Sequence, residues 1–291
     1  MFIKKDKRTR IIGVSRGNEF SPNNVSNDAA IFRTVVEELR KKGCRVSVHT
    51  EKAFVKQQIE ADFIFDMARD EATIERLKEL EDQGALVINS AYGILNCRRK
   101  AMTELLMQNG IPHPQSYVVP TNQEFSLNLF PCWLKRGNSH AIVKEDVVYV
   151  ECKEEADHAL ADFCRRGIPE AIVNEHLVGD LVKFYGVLDT DFFYTFYPSE
   201  QSHSKFGLEA INGECRGFPF DVKRLQAYAN RAAEVLNVPI YGGDCVVSST
   251  GEIRIIDFND WPSFARCHKE AGVWIADYIY RRIQDKIHYK L

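Results

Sequence analysis

The sequence predicts a two-part chain, an α/β unit over residues 1–95 followed by an α+β unit over 96–291. Three observations predict it. Short apolar runs alternate with segments of helical period in the first ninety or so residues, which is the pattern of a parallel sheet covered by helices. From residue 116 onward, strand-like runs outnumber helical ones and follow one another closely. Near the C-terminus, apolar runs at 245–247 and 253–256 flank a Ser/Thr/Gly cluster, a hairpin signal.

In order, residues 11–15 (Ile-Ile-Gly-Val-Ser) read as a strand and 16–27 as a polar loop. Residues 28–42 carry apolar side chains at 29, 31, 32, 35, 36 and 39, the helical period, and Gly43 stops them. A strand at 45–49 completes a βαβ unit, and strands at 63–67 and 86–89 enclose a helix at 71–83. A boundary falls near 90–96. Residues 97–108 form a helix that Asn109-Gly110 and Pro112 end. Strands are expected at about 116–119, 131–136, 140–144 and 147–151, a helix at 153–166, and longer strands at 171–176 and 180–197. A polar loop over 199–218, a helix over 221–237, the hairpin and a terminal helix from about 266 complete the chain.

A two-residue turn at Thr250-Gly251 sets Asp244 directly opposite Asp257, with Asn259 on the same face two residues on. Opposed residues on one face have Cβ atoms about 5 Å apart, and like charges there repel. A cation between the carboxylates relieves that repulsion. Two carboxylates and an amide oxygen are hard ligands suited to Mg²⁺, which keeps some waters and takes phosphate oxygens as further ligands. The alternative is a surface hairpin with solvated acids, and a bulge or a three-residue loop would break the register.

The chain has 291 residues, 45% hydrophobic and 27% charged, ordinary for a globular protein. Lys plus Arg number 38 against 41 Asp plus Glu, a net charge of −3, so no nucleic-acid or membrane partner is expected. No apolar run approaches a membrane span, and 11–14 is too short for a signal-peptide core. The eight cysteines form no Cys-x-x-Cys pair and several sit in apolar stretches. Reduced, buried thiols in a cytoplasmic protein are expected.

An ordered set of motifs over residues 86–291 resembles the ATP-grasp superfamily. Arg99-Lys100 opens a helix followed by Gly110-Ile111-Pro112; Pro131-Cys132-Trp133-Leu134-Lys135 is similar to the strand whose lysine reaches nucleotide phosphates. Residues 172–177 (Ile-Val-Asn-Glu-His-Leu) with Gly179-Asp180 look like the hinge strand, and Asp244, Asp257 and Asn259 match the metal ligands. The resemblance implies an ATP-grasp fold with a preceding parallel-sheet domain and subdomains of about 96–176 and 177–291. It further implies that ATP and Mg²⁺ bind, with Lys100 and Lys135 at the phosphates. Glu175, His176 and Leu177 would meet adenine and ribose, together with Asp180. Two departures from the family stand out: the loop after Lys135 has one glycine, and Asp257 stands where ligases more often carry Glu.

The resemblance implies a carboxylate–amine ligase working through an acyl phosphate, akin to D-alanine–D-alanine ligase, glutathione synthetase and RimK-type enzymes. Arg16, Arg69 and Arg266 are then candidates to grip small-molecule substrates, because guanidinium matches carboxylate bidentately. The alternative is a kinase acting on a polyol phosphate. Residues 138–143, 183–187 and 256–259 are similar to inositol-polyphosphate kinases of this fold, with His140, Lys183, His203 and Lys205 as phosphate contacts. A third reading is a nucleotide-binding module without turnover. Dimers are frequent in the family, so a homodimer is an admissible expectation. Trp261 is expected either to cover the acceptor pocket or to pack in the core.

Overall fold

The computed structural model describes residues 10–21, 24–138, 143–198, 211 and 213–289. The opening segment runs β1 (Arg10–Ser15), α1 (Val25–Lys41), β2 (Arg45–Thr50), α2 (Glu51–Lys56), β3 (Phe63–Asp66), α3 (Glu71–Asp82) and β4 (Leu86–Ile88). Its strands form a parallel sheet in the order β2-β1-β3-β4. Local chemistry sets the helix starts: Asp70 accepts the Thr73 amide at 3.0 Å, and the Thr50 hydroxyl accepts that of Ala53.

Helices α4 (Ala91–Asn96) and α5 (Arg99–Gln108) lead into β5 (Ser116–Pro120), β6 (Cys132–Arg136), β7 (Val147–Val150), α6 (Lys153–Arg165) and β8 (Glu170–Glu175). These strands make an antiparallel sheet ordered β5-β8-β6-β7. A third sheet, β10-β9-β11-β12, is also antiparallel. It comprises β9 (Asp180–Val187), β10 (Phe193–Phe196), β11 (Ile240–Val247) and β12 (Ile253–Asp260), with α7 (Val222–Leu236) before β11 and α8 (His268–Tyr289) closing the chain.

Three expectations change. The strand expected over 180–197 is a hairpin, because Asp189 adopts φ 58° and turns the chain between β9 and β10. Helices α2 and α4, of six residues each, are too short to show a periodic stripe. In place of the strand expected at 140–144, Lys144–Asp146 forms a 3₁₀ turn, while 139–142 lie outside the described residues, as does most of the 199–218 loop.

The third sheet is buried on both faces. Phe184, Tyr241, Cys245, Ile255 and Phe258 pack on one side against α5 and α7. On the other, Val187, Ile240, Trp261 and Phe264 join Ile31, Leu39 and Phe65 of the parallel-sheet unit and Ile275 of α8. Helices α1 and α8 cross closely: a Cβ at Gly272 would lie 2.4 Å from the Thr34 methyl. Asn89, after β4, donates to the Ile240 carbonyl at 2.7 Å and accepts the Ile240 amide at 3.0 Å, both buried. That one amide ties the parallel sheet to the first residue of β11.

Replacing Asn89 with Ala leaves the buried Ile240 amide unpaired, while the Ile240 carbonyl keeps the Trp261 amide at 2.9 Å, and should cost about 1–3 kcal/mol of stability. Urea unfolding should show a lower midpoint at unchanged slope. An unmoved midpoint would show that the amide does not join the two sheets.

Candidate active site

Register places the acidic residues. Asp244 of β11 pairs with Asp257 of β12 on one side and with Lys183 of β9 on the other, and Lys183 pairs with Phe196 of β10. Directly paired residues share a face, so Phe196, Lys183, Asp244 and Asp257 form one cross-sheet row. Tyr194, Tyr185, Gly242 and Asn259 form the next row on the same face. Asp244, Asp257 and Asn259 therefore project together.

The turn is not the expected two-residue one. The Ser248 amide donates to Glu252 O at 2.9 Å and the Gly251 amide to Ser248 O, giving a three-residue loop with Gly251 at φ 78°. Near the loop Cys245 thus faces Ile255, and a bulge at Asp244/Cys245 then shifts the register by one. Ile253, Ile255 and Phe258 face α5 and α7. Without the extra residue, strict alternation would send Asp257 into that apolar core; the bulge turns Asp257 and Asn259 to the opposite face, where both are half-buried.

Cations gather at the same place. Lys183 Nζ lies 3.0 and 2.9 Å from the two Asp244 oxygens. Lys135 reaches across from β6 of the neighbouring sheet to Ile256 O at 3.5 Å. Burial and, after it, the Arg99 guanidinium lower the Lys135 ammonium against the upward pull of Asp257 and Asp244, leaving it at about 8. Arg99, at the start of α5, is 6% exposed, and its own pKa is lowered by burial despite the pull of Asp257 and Asp146. Its Nη1 is buried with no hydrogen-bond partner among the described residues.

Arg99 therefore takes the place expected of Lys100, whose ammonium is held by both Glu170 oxygens at 2.8 Å. One step along a helix turns a side chain by about 100°, which separates these neighbours. Arg136 and Asp146 were also not anticipated. Asp146 is fully buried, accepts from Arg136, Arg166 and the Val143 amide, and so ties the segment after β6.

Other candidates move. Asp180 is not at a ribose site: β9 alternation puts it on the face opposite Lys183, 2% exposed, accepting the Arg216 and Phe218 amides at 2.8 Å each. Glu175 is taken by protein partners, accepting from the Gln115 amide and from Arg254. His176 Nδ1 accepts from Trp133 Nε1 at 3.1 Å, and burial lowers its pKa, so the ring is a neutral acceptor. Leu177 is half-buried on the connection to β9.

Arg16 and Arg69 act as struts. Arg16 donates to Met67 O, Asp28 and Trp261 O, and Arg69 to Asp260 and Ala68 O. Arg266 lies over the Phe196 ring at 4.5 Å, beside the row that carries Lys183. Trp261 is fully buried and stacks on Phe65 with centroids 6.0 Å apart, so it packs the core. His140, His203 and Lys205 lie outside the described residues.

The oxygen set fits magnesium. Two carboxylates share a row with one amide oxygen beside them, and the nearby ammonium and guanidinium groups suit the phosphates that complete a Mg²⁺ shell.

No protein-family model matches the chain, and no curated protein matches its sequence. Solved structures do match. The D-alanine–D-alanine ligase of Bacillus anthracis complexed with ATP aligns over 96% of this chain and 99% of its own, with 14% identity and a TM-score of 0.64. A RimK-domain ATP-grasp protein of Sphaerobacter thermophilus aligns over 94% and 100%, with 16% identity and a TM-score of 0.65. The ATP-grasp ligase PsnB complexed with minimal precursor aligns over 94% and 99%, with 16% identity and a TM-score of 0.59. The chain has the ATP-grasp fold.

A lysine Nζ resonance assigned by its absence from Lys135→Met should titrate near pH 8, and Asp257→Asn should move it lower by removing an upward pull. Because the unfolded lysine titrates near 10.4, the folded state sheds its proton first, and this group adds stability as pH rises from 8 to about 10. Titration above 10 would contradict the buried placement of Lys135.

Proposed function

We propose that this protein is a Mg²⁺- and ATP-dependent carboxylate–amine ligase. The observation that carries the reading is the opposition of Asp244, Asp257 and Asn259 on one sheet to half-buried Lys135 and buried Arg99 from another unit, in a fold whose aligned relatives include ligases.

The triphosphate lies between the second and third sheets. Lys135 and Arg99 meet its oxygens, since the half-buried Lys135 and the buried Arg99 each lack a carboxylate partner within hydrogen-bond reach among the described residues. Proximity to phosphate restores the Lys135 charge that burial weakens. Adenine pairs with the connection between β8 and β9 at Leu177 and Val178, because the Glu175 and His176 amides are already bonded to Gln115 O and Pro131 O. Asp244, Asp257 and Asn259 would hold a magnesium ion, which would supply neutralisation of phosphate charge.

In the first half-reaction a substrate carboxylate oxygen attacks the γ-phosphorus and ADP leaves, giving an acyl phosphate. In the second, an amine attacks the acyl carbon, the C–O bond to phosphate breaks, and inorganic phosphate and one proton are released. Lys183 holds Asp244 in place, and Arg266, over the Phe196 ring at the end of that row, orients a carboxylate.

Hydroxylamine is a surrogate amine that traps any acyl phosphate. With ATP, magnesium and a pool of carboxylic acids it should yield a hydroxamate and one ADP per hydroxamate; a phosphorylated polyol without hydroxamate would replace the ligase reading with a kinase. Asp257→Asn should lower turnover about a hundredfold or more with the circular-dichroism spectrum unchanged. Lys135→Ala should weaken nucleotide binding about tenfold to a hundredfold, read by calorimetry. Wild-type behaviour in either variant would remove that residue from the site.

A further inference from the structure

In the row Phe196, Lys183, Asp244 and Asp257, two carboxylates stand beside one ammonium, and the ammonium goes to one of them. Lys183 Nζ lies 3.0 Å from Asp244 Oδ1 and 2.9 Å from Oδ2, with each side chain 23% exposed. Asp257 accepts the Phe258 amide at 3.2 Å and forms no ion pair among the described residues. The other cations of the site come from elsewhere in the chain: Lys135 reaches Ile256 O, and Arg99 Nη1 has no hydrogen-bond partner among the described residues.

Backbone pairing builds the Lys183–Asp244 contact. The two residues are directly opposed on β9 and β11, which brings their Cβ atoms to about 5 Å. With most of each side chain out of water, screening between them is weak. The ammonium covers both oxygens of the carboxylate that a hard divalent ion would use. A metal that takes an Asp244 oxygen must stand beside that ammonium or displace it. Unit charges 4 Å apart near a protein surface interact strongly enough to change an affinity roughly a thousandfold.

Lysine is suited to being displaced. Its charge is compact and its four-carbon stem rotates freely, so the ammonium can follow a stronger anion. A triphosphate laid against Lys135 and Arg99 brings several anionic oxygens to this row.

We propose that Lys183 is an internal counter-ion that competes with divalent metal for Asp244 and yields it when nucleotide phosphates draw the ammonium away. Metal and nucleotide then bind as a coupled pair, each raising the affinity of the other by the same factor. The role presupposes the metal and nucleotide reading proposed above. It differs in sign from a purely structural one. If Lys183 only oriented Asp244, removing it would loosen a ligand and weaken metal binding. If it competes, removing it frees the ligand and tightens metal binding.

Mn²⁺ titrated without nucleotide, followed by the electron paramagnetic resonance signal of free Mn²⁺, separates the two. Lys183→Gln should bind Mn²⁺ about tenfold or more tightly than the wild type, and Lys183→Arg should stay near it. Adding Asp257→Asn to Lys183→Gln should erase the gain. Mg²⁺ alone should also raise the melting midpoint of Lys183→Gln more than that of the wild type. The reference arm is wild-type protein with a non-hydrolysable ATP analogue. If Mn²⁺ binds there, unchanged or weaker binding of Mn²⁺ alone by Lys183→Gln overturns the counter-ion role and leaves the metal–nucleotide site standing. A gain that survives Asp257→Asn also overturns it, because the metal is then held elsewhere. If no Mn²⁺ binds in the reference arm, both readings fall.

Discussion

The arrangement depends on one inserted residue in β12. Ile253, Ile255 and Phe258 belong to the apolar layer under the third sheet, and Asp257 with Asn259 faces the other way. A regular strand cannot do both, because side chains alternate and a one-residue slip exchanges the faces. The bulge opposite Asp244 and Cys245 resolves the conflict by spending Ile256 without a partner. Everything that converges on Asp257, from Lys135 to Arg99, presupposes that turn of the strand.

The charge balance around it is uneven by construction. Among the described residues, Asp244 has its ammonium partner in Lys183, while Lys135 has one distant carbonyl and Arg99 a buried nitrogen with no hydrogen-bond partner. Burying cations without partners costs stability, and it lowers the affinity of Lys135 for its proton. An anionic ligand between the sheets, as proposed above, would offset that cost. Around this centre Arg16 and Arg69 bind the carbonyls of Trp261 and Asp260, so the parallel sheet grips the chain at the end of β12. Asn89 grips β11 in the same way from the other end.

Most strands and long helices were legible because their periodicity is strong, as in α1 with Ile31, Val35, Val36 and Leu39 inward. The facing of Asp244 and Asp257 was legible for a reason that did not hold: a three-residue loop and a bulge each displaced the register by one, and the two displacements cancelled. What could not be read was side-chain direction. Arg99 and Lys100 differ by one position, and only the docking of α5 decides which enters the site. Asp180 carried no sign that its carboxylate would be taken by the amides of Arg216 and Phe218, more than thirty residues away. Tyr185 and Tyr194 of the second row carry no marker in the sequence, yet with Phe264 they pack that face against the cluster that holds α8.

The most direct test is electron paramagnetic resonance of Mn²⁺ titrated with a non-hydrolysable ATP analogue into the wild-type protein and into Asp244→Asn/Asp257→Asn. Protein-bound Mn²⁺–nucleotide should form in the wild type and vanish in the double variant while both remain folded. Equal amounts of bound Mn²⁺ in the two would mean that the face exposed by the bulge of β12 is not a metal–nucleotide site.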